Sequence, residues 1–388
     1  MFGHKNAAAA ARATRNQPLC RIAYASPPAP PEPTPRRLLS MTAQRILPID
    51  QARWPIFAGV DVGGTSIKVG VVDDEGNTLA YRELETDEVA GPRPAMQAVV
   101  AAIDQMLGGL GVRREQVEAV GLGTPGPQDI PRGMLIQPPN HPHWHDFPIV
   151  ACLEELSGLR VAFANDANAA AWGEFWLGSG KPSESMALFT LGTGVGGGII
   201  MDGRLLVGNN SSCAELGHMI VDGRPNARLC AWGGGRGHLE AYASASAVID
   251  ITRERLEDGA ESSLNRLDSE LTGKAIYEAA LHDDLFALTI IDETAEWLSV
   301  GITTIVHTLD PGLVVIGGAM TFGGESSPVG RRFLNHLRNG FKHRSFEHIA
   351  GGTEIRFATL GGDAGYLGAA GLAREMIRGR GVKGHLPE

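Results

Sequence analysis

A largely apolar run, Leu159 to Phe163, stops at Asn165-Asp166, and an Ala-rich helical pattern begins there and passes through Ala167-Asn168-Ala169-Ala170-Ala171-Trp172. A carboxylate at a strand-to-helix junction of an α/β sheet lies where such sheets bind ligands, outside the carboxyl ends of the strands. Asp166 could there accept a proton from a bound hydroxyl. Asn and Asp are also preferred helix caps, so the pair alone favours a purely structural reading. Its company favours chemistry: a glycine-rich turn far upstream, a second just downstream, and then Glu215-x-x-His218.

Both turns have the composition of anion cradles. In Asp61-Val62-Gly63-Gly64-Thr65-Ser66-Ile67-Lys68 the glycines let backbone N–H groups approach a phosphate, and Asp61 at the strand end could hold a hydrated magnesium ion. Leu191-Gly192-Thr193-Gly194-Val195-Gly196-Gly197-Gly198 offers further N–H groups and a hydroxyl. Each turn alone reads as readily as a tight hairpin. Gly192-x-Gly194-x-x-Gly197 fits the dinucleotide fingerprint in letters only, because that fingerprint opens a helix, whereas Gly198-Ile199-Ile200-Met201 reads as a strand. No Gly-x-x-x-x-Gly-Lys-Ser/Thr occurs, which argues against a P-loop enzyme.

The elements that must carry these residues alternate. Ile56 to Val62 and Ile67 to Asp73 predict a hairpin, followed by a strand near Thr78 to Leu84, a helix over Pro94 to Leu107 and a strand over Val117 to Leu122. Gly123 to Pro148 is proline-rich and irregular, with His141, His143 and His145 clustered around Trp144, and is expected to be a loop near the ligand. A second glycine-hinged strand pair, Met186 to Leu191 and Gly198 to Met201, repeats the opening unit. Helices are predicted over Leu239 to Leu256, Gly273 to His282, Leu285 to Leu309, Val329 to Phe341 and Ala364 to Ile377, with strands over Gly312 to Ile316 and Glu354 to Ala358. The alternation predicts an α/β chain, and the duplication predicts two lobes, 54–166 and 167–378, with a central cleft and a tail over 379–388.

Composition bounds the partners. The 388 residues are 43% hydrophobic, enough for a large core, and 44 acidic against 34 basic residues give a formal charge of -10, which argues against a nucleic-acid partner. Four scattered cysteines, Cys20, Cys152, Cys213 and Cys230, fit a reducing compartment, and the cytoplasm is the expected location. No apolar run is long enough to suggest a membrane span. Residues 1–53 differ in kind: residues 1–31 have no acid, carry Lys5, Arg12, Arg15 and Arg21, and run into a proline cluster. A disordered leader, a transit peptide and a mis-called start ahead of Met41 are all open, and residues 1–40 are expected to add nothing to the fold.

Six motifs in order carry a family resemblance. Asp61-x-Gly63-Gly64-Thr65, Thr124-Pro125-Gly126-Pro127, Pro139-Asn140-x-Pro142-x-Trp144, Asn165-Asp166-Ala167-Asn168-Ala169-Ala170, Gly192-Thr193-Gly194-x-Gly196-Gly197-Gly198 and Glu215-Leu216-Gly217-His218 resemble the ROK (repressor, open reading frame, kinase) family. The likeness runs from about Phe57 to Arg374 and is greatest to the family's glucokinases. It implies the actin-like ATPase fold, ribonuclease-H-like in each lobe, with ATP, magnesium and sugar meeting in the cleft, and a homodimer or homotetramer. Carried over residue by residue, Asp166 becomes the general base. Asn140 and Asn165 become ligands of ring hydroxyls, and Glu215, His218 and Glu240 hold the anomeric end. Asp61, Gly63, Gly64, Thr65, Lys68, Gly192, Thr193 and Gly194, with Gly317-Gly318 and Gly361-Gly362, fall to the nucleotide side. The resemblance implies conversion of glucose to glucose 6-phosphate. Fructose, allose or N-acetylmannosamine remain alternatives, as does a sugar-responsive regulator, although the proline-rich start leaves no room for a helix-turn-helix.

One motif departs from the family. Its zinc pattern, Cys-x-Cys-Gly-x-x-Gly-Cys-x-Glu, becomes Cys230-Ala231-Trp232-Gly233-Gly234-Gly235-Arg236-Gly237-His238-Leu239-Glu240. A structural zinc wants four N or S ligands. His218, Cys230 and His238 give three, with Cys213 as a fourth from outside the pattern; a loop held without metal is the other reading.

Overall fold

The computed structural model describes residues 46–138, 141–231, 234–267 and 269–379. The expectations for residues 1–40, Asn140 and Trp232 lie outside them. The first alternating runs form the expected hairpin, β1 (Ile56–Val62) pairing antiparallel with β2 (Ser66–Asp73) from Ile56↔Asp73 to Val62↔Ile67. β3 (Thr78–Glu85) extends the meander, and α1 (Pro92–Leu110) crosses over to β4 (Val117–Thr124), parallel to β1. A short ribbon, β5 (Gln128–Asp129) with β6 (Met134–Leu135), and α2 (Ile149–Ser157) lead to β7 (Val161–Asn165), parallel to β4. The sheet order is β3-β2-β1-β4-β7.

The chain leaves this sheet through α3 (Asp166–Trp176) and builds a second one on the same plan. β8 (Met186–Leu191), β9 (Val195–Met201) and β10 (Arg204–Leu205) form the meander. Helices α4 (Glu240–Ala243), α5 (Ala245–Glu257), α6 (Gly273–Leu281) and α7 (Leu285–Leu309) then precede β11 (Leu313–Gly317). After α8 (Pro328–Arg344) and α9 (Glu347–Gly352) come β12 (Glu354–Phe357) and α10 (Ala364–Ile377). The order is β10-β9-β8-β11-β12, with β8, β11 and β12 parallel. The two sheets have the same topology, as the duplicated sequence pattern predicts, and this is the ribonuclease-H-like pair of the actin-like ATPase fold. No helix of the described residues is long and apolar enough to cross a membrane.

One predicted helix breaks. The periodic run Leu239 to Leu256 becomes α4 and α5, because Ser244 adopts an extended backbone (φ -83°, ψ 162°) and its side chain accepts a hydrogen bond from Ala247 N. A serine hydroxyl competes with the helical carbonyl for backbone donors, so periodicity alone did not reveal the break.

The lobes are joined by an exchange of helices. α3 starts at the end of the first sheet, yet Ala169, Ala171 and Trp172 pack against Met186, Leu188, Ile200, Leu313 and Val315 of the second. α10 starts beyond the second sheet, and Tyr366, Leu367, Ala370 and Ala373 pack on Phe57, Val72 and Ala119 of the first. Sequence position groups α10 with the second lobe; its apolar face covers the first sheet. The two helices cross in backbone contact: a Cβ at Gly368 would lie 1.7 Å from the Ala169 carbonyl oxygen, and one at Gly173 would lie 2.4 Å from that of Ala364.

Candidate active site

Because β1, β4 and β7 are parallel, their carboxyl ends share one edge. Asp61 pairs with Gly123, Gly123 with Ala164 and Thr124 with Asn165. Asn165 is the N-cap of α3, its Oδ1 accepting from Ala167 N at 2.9 Å; Asp166 Oδ1 accepts from the same N–H at 2.8 Å. The capping reading therefore holds for Asn165, and it leaves Asp166 at the first helical position available for chemistry.

Asp166 sits in an unusual field. Burial pushes its carboxyl up to about 7, and the negative charges of Asp61 and Glu215 add to the effect. Asp61 is itself pushed up to about 6 by burial, with Lys68 partly opposing. Glu215 is raised by its surroundings and by Glu240, against the pull of His218. The structure thus brings Asp61, Asp166, Glu215 and Glu240, three of them far apart in sequence, into one electrostatic neighbourhood. Perturbed carboxylates of this kind collect at functional sites.

The glycine turns frame the cluster. Thr86 fixes the first one, its Oγ1 donating to Gly63 O at 3.1 Å and its N–H to Thr65 O at 3.1 Å, while Gly64 and Thr65 stay exposed. Lys68, register partner of Asp61, donates from Nζ to Gly362 O at 2.6 Å, which brings the Gly361-Gly362 turn to the first hairpin. In the second turn Gly192 N donates to Gly194 O at 3.0 Å and Thr193 is exposed. Gly317 ends β11, and Gly318 (φ +90°) lies so close to this turn that a Cβ would be 2.2 Å from Leu191 O. Gly194 also serves the carboxylates: a Cβ there would be 2.3 Å from Glu240 Oε2, which accepts from Val195 N at 2.9 Å.

His218, Cys230 and His238 meet as expected, their ligand atoms all within 4.8 Å of one another. His218 Nδ1 and His238 Nδ1 are 3.3 Å apart. Tetrahedral zinc with Zn–N of about 2.0–2.1 Å holds two nitrogens at about that separation, so the two imidazoles are spaced for the ion, and with Cys230 they supply three of the four N or S ligands a structural zinc takes. Cys213 is not part of this group; its N–H donates to Val207 O in the loop after β10. Cys230 Sγ donates to Glu240 Oε1 at 3.5 Å, linking the metal loop to the carboxylate cluster.

The histidines around Trp144 form no such group. His141 is fully buried and stacks on Trp144 with centroids 4.9 Å apart, whereas His143 and His145 are exposed. His143 is held by Glu88, whose Oε1 accepts from His143 N at 2.7 Å, and Glu88 O accepts from Trp144 Nε1 at 3.3 Å. Sequence reading missed Glu88, which lies in a motif-free loop, and Asp363, whose carboxyl is raised by burial against the pull of Lys68. A signal for Asp363 was its position directly after Gly361-Gly362.

The sequence model of the ROK family matches residues 57–376. A glucokinase of Halalkalibacterium halodurans is 36% identical over 328 residues, spanning 84% of this chain and 96% of the relative. The crystal structure of a ROK hexokinase from Thermus thermophilus superposes with a TM-score of 0.71 at 32% identity, covering 84% of this chain and 100% of that one. A ROK family glucokinase from Streptomyces griseus, solved in complex with glucose and AMPPNP, gives a TM-score of 0.65 at 34% identity, covering 82% and 99%.

Proposed function

The chain belongs to the ROK family, and from that premise we propose that it transfers the terminal phosphoryl group of ATP to glucose, giving glucose 6-phosphate. The observation that carries the reading is Asp166, a carboxylate with proton affinity near neutrality at the mouth of α3, facing the same cluster as Glu215 and Glu240. The sugar hydroxyl oxygen attacks the γ-phosphorus, its bond to the bridging oxygen of ADP breaks, and the hydroxyl proton passes to Asp166. Phosphoryl transfer asks the protein mainly for positioning and charge stabilisation. Asn165 and Asn140 bind ring hydroxyls, and Glu215, His218 and Glu240 hold the anomeric end. The turn residues Gly63, Gly64, Thr65, Gly192, Thr193 and Gly194, with Lys68, Gly317 and Gly318, serve the nucleotide. Asp61 would hold the magnesium ion that comes with ATP, and the ion would neutralise phosphate charge. The acidic chain works in the cytoplasm as a homodimer or homotetramer, without nucleic acid.

The purified protein with ATP and magnesium, offered a panel of hexoses, should show its highest kcat/KM with glucose. Preference for fructose, allose or N-acetylmannosamine would move it to another sugar, and phosphorylation of none would overturn the kinase reading. Glu215→Gln should raise the KM for glucose more than it lowers kcat, because Glu215 binds hydroxyls remote from the reacting one in ground and transition states alike. An unchanged KM would place a different sugar, or a different pose, against Glu215.

We further propose a zinc ion on His218, Cys230 and His238, supported by their spacing. Metal analysis should find close to one zinc per chain, and a strong chelator should lower both thermal stability and glucose affinity, since His218 serves metal and sugar together. Full activity in protein containing no zinc would retire the ion.

A further inference from the structure

Glu174 lies eight residues beyond Asp166 on α3, which places it about 12 Å further along the helix axis at ~1.5 Å per residue. Its side chain is buried, at 1% exposure, and no cation is paired with it among the described residues. A buried carboxylate without a counter-charge is costly unless its oxygens are hydrogen-bonded. Here three backbone N–H groups and a hydroxyl meet it: Ser179 N on Oε2 at 2.9 Å, Thr359 N and Leu360 N on Oε1 at 2.9 and 2.7 Å, and Thr359 Oγ1 on Oε2 at 3.3 Å.

Thr359 and Leu360 open the turn that joins β12 to α10, the turn that carries Gly361, Gly362 and Asp363. Gly362 O accepts from Lys68 Nζ, and Ser179, held by the same carboxylate, donates from Oγ to Phe357 O at 2.8 Å at the end of β12. One helix therefore presents Asp166 at its amino end and, near its carboxyl end, grips the turn that reaches Lys68. We propose that Glu174 is a positioning residue for nucleotide: it sets the Thr359–Asp363 turn, and through it Lys68, at a fixed distance from Asp166. The role rests on the kinase reading given above. Hydrogen bonds to a charged acceptor are the strong ones and fix geometry as well as energy, and phosphoryl transfer is sensitive to such placement.

Glu174→Gln keeps the shape but turns an amide N–H₂ toward backbone donors, so part of the grip is lost. In the full chain the variant should raise the KM for ATP by about tenfold, a loss typical of one charged hydrogen bond, while the KM for glucose stays within about twofold. Hydrogen exchange at Thr359 and Leu360 should accelerate in the variant, and in a double-mutant cycle with Lys68→Met the effects on ATP KM should be non-additive. Thr359→Val, which removes the hydroxyl's bond to Glu174 and the one it accepts from Ser179 Oγ while keeping the backbone N–H, should show the same split in smaller degree, and keeps the test open should Glu174→Gln fold poorly. Equal rises in both KM values, additivity with Lys68→Met, or unchanged exchange at the two amides would overturn the proposal. A wild-type chain that phosphorylates no sugar would instead overturn the kinase reading, and the exchange measurement would still decide whether Glu174 holds the turn.

Discussion

Asp166→Asn should lower kcat by on the order of 100-fold or more, the usual range for loss of a general base, while leaving the fold intact. The fold survives because Asn165 already caps α3, and an Asn at 166 retains the Oδ1 that accepts from Ala167 N. Near-normal kcat in the variant would reduce Asp166 to a structural residue. The same carboxyl predicts a pH dependence with opposite signs for activity and stability. A base must be unprotonated, so kcat/KM of the wild type should rise with pH through about 7 and level off above it. The folded chain holds that proton more tightly than the unfolded chain, whose carboxyl has the ordinary value of 3.8. The stabilising contribution is therefore complete below about pH 4 and is lost as pH rises through about 7. Thermal melts of ligand-free protein should show stability declining over that window, and less so in Asp166→Asn, where the raised carboxyls of Asp61, Glu215 and Asp363 remain.

Gly368→Ala should cost more than about 3 kcal/mol, at the upper end for a single methyl in a packed interior. The added carbon would stand 1.7 Å from the carbonyl oxygen of Ala169 and 2.7 Å from Gly173 N, both backbone atoms of α3, so no rotamer change relieves the clash. α3 and α10 must separate. Since α3 packs on the second sheet and α10 on the first, the lobes that flank the cleft move with them, and kcat should fall together with the denaturation midpoint. Gly108→Ala, near the end of α1 with nothing within 4 Å of the new carbon, is the control and should be neutral or stabilising by up to ~1 kcal/mol. Equal effects at the two sites would mean that the helix crossing does not couple the lobes.

Much of this was legible in the chain itself because it depends on local pattern. Apolar and β-rich runs marked the strands of both sheets except β10, Asn165-Asp166 marked the junction of β7 and α3, and the spacing Leu285 to Leu309 delimited α7 to the residue. The repeat of a glycine-hinged hairpin exposed the duplication, and the strand after Gly198 excluded a dinucleotide fingerprint. Each candidate site residue stands in a short motif and so is visible in the chain, and the fold gathers Asp61, Asp166, Glu215 and Glu240 into one cluster.

What pattern could not supply is set by long-range packing. Ser244 breaks a run whose apolar spacing is continuous, because a single side-chain hydrogen bond outweighs periodicity there. The destination of α10 depends on which apolar sheet face is left uncovered, a property of the assembled fold. Glu88 and Glu174 carry no motif and acquire partners only when loops 55 and 185 residues distant in sequence are brought against them. The raised carboxyls of Asp61 and Asp166 likewise exist only in the folded chain, because residue type fixes the ordinary proton affinity, whereas burial and the approach of like charges from separate strands and loops displace it.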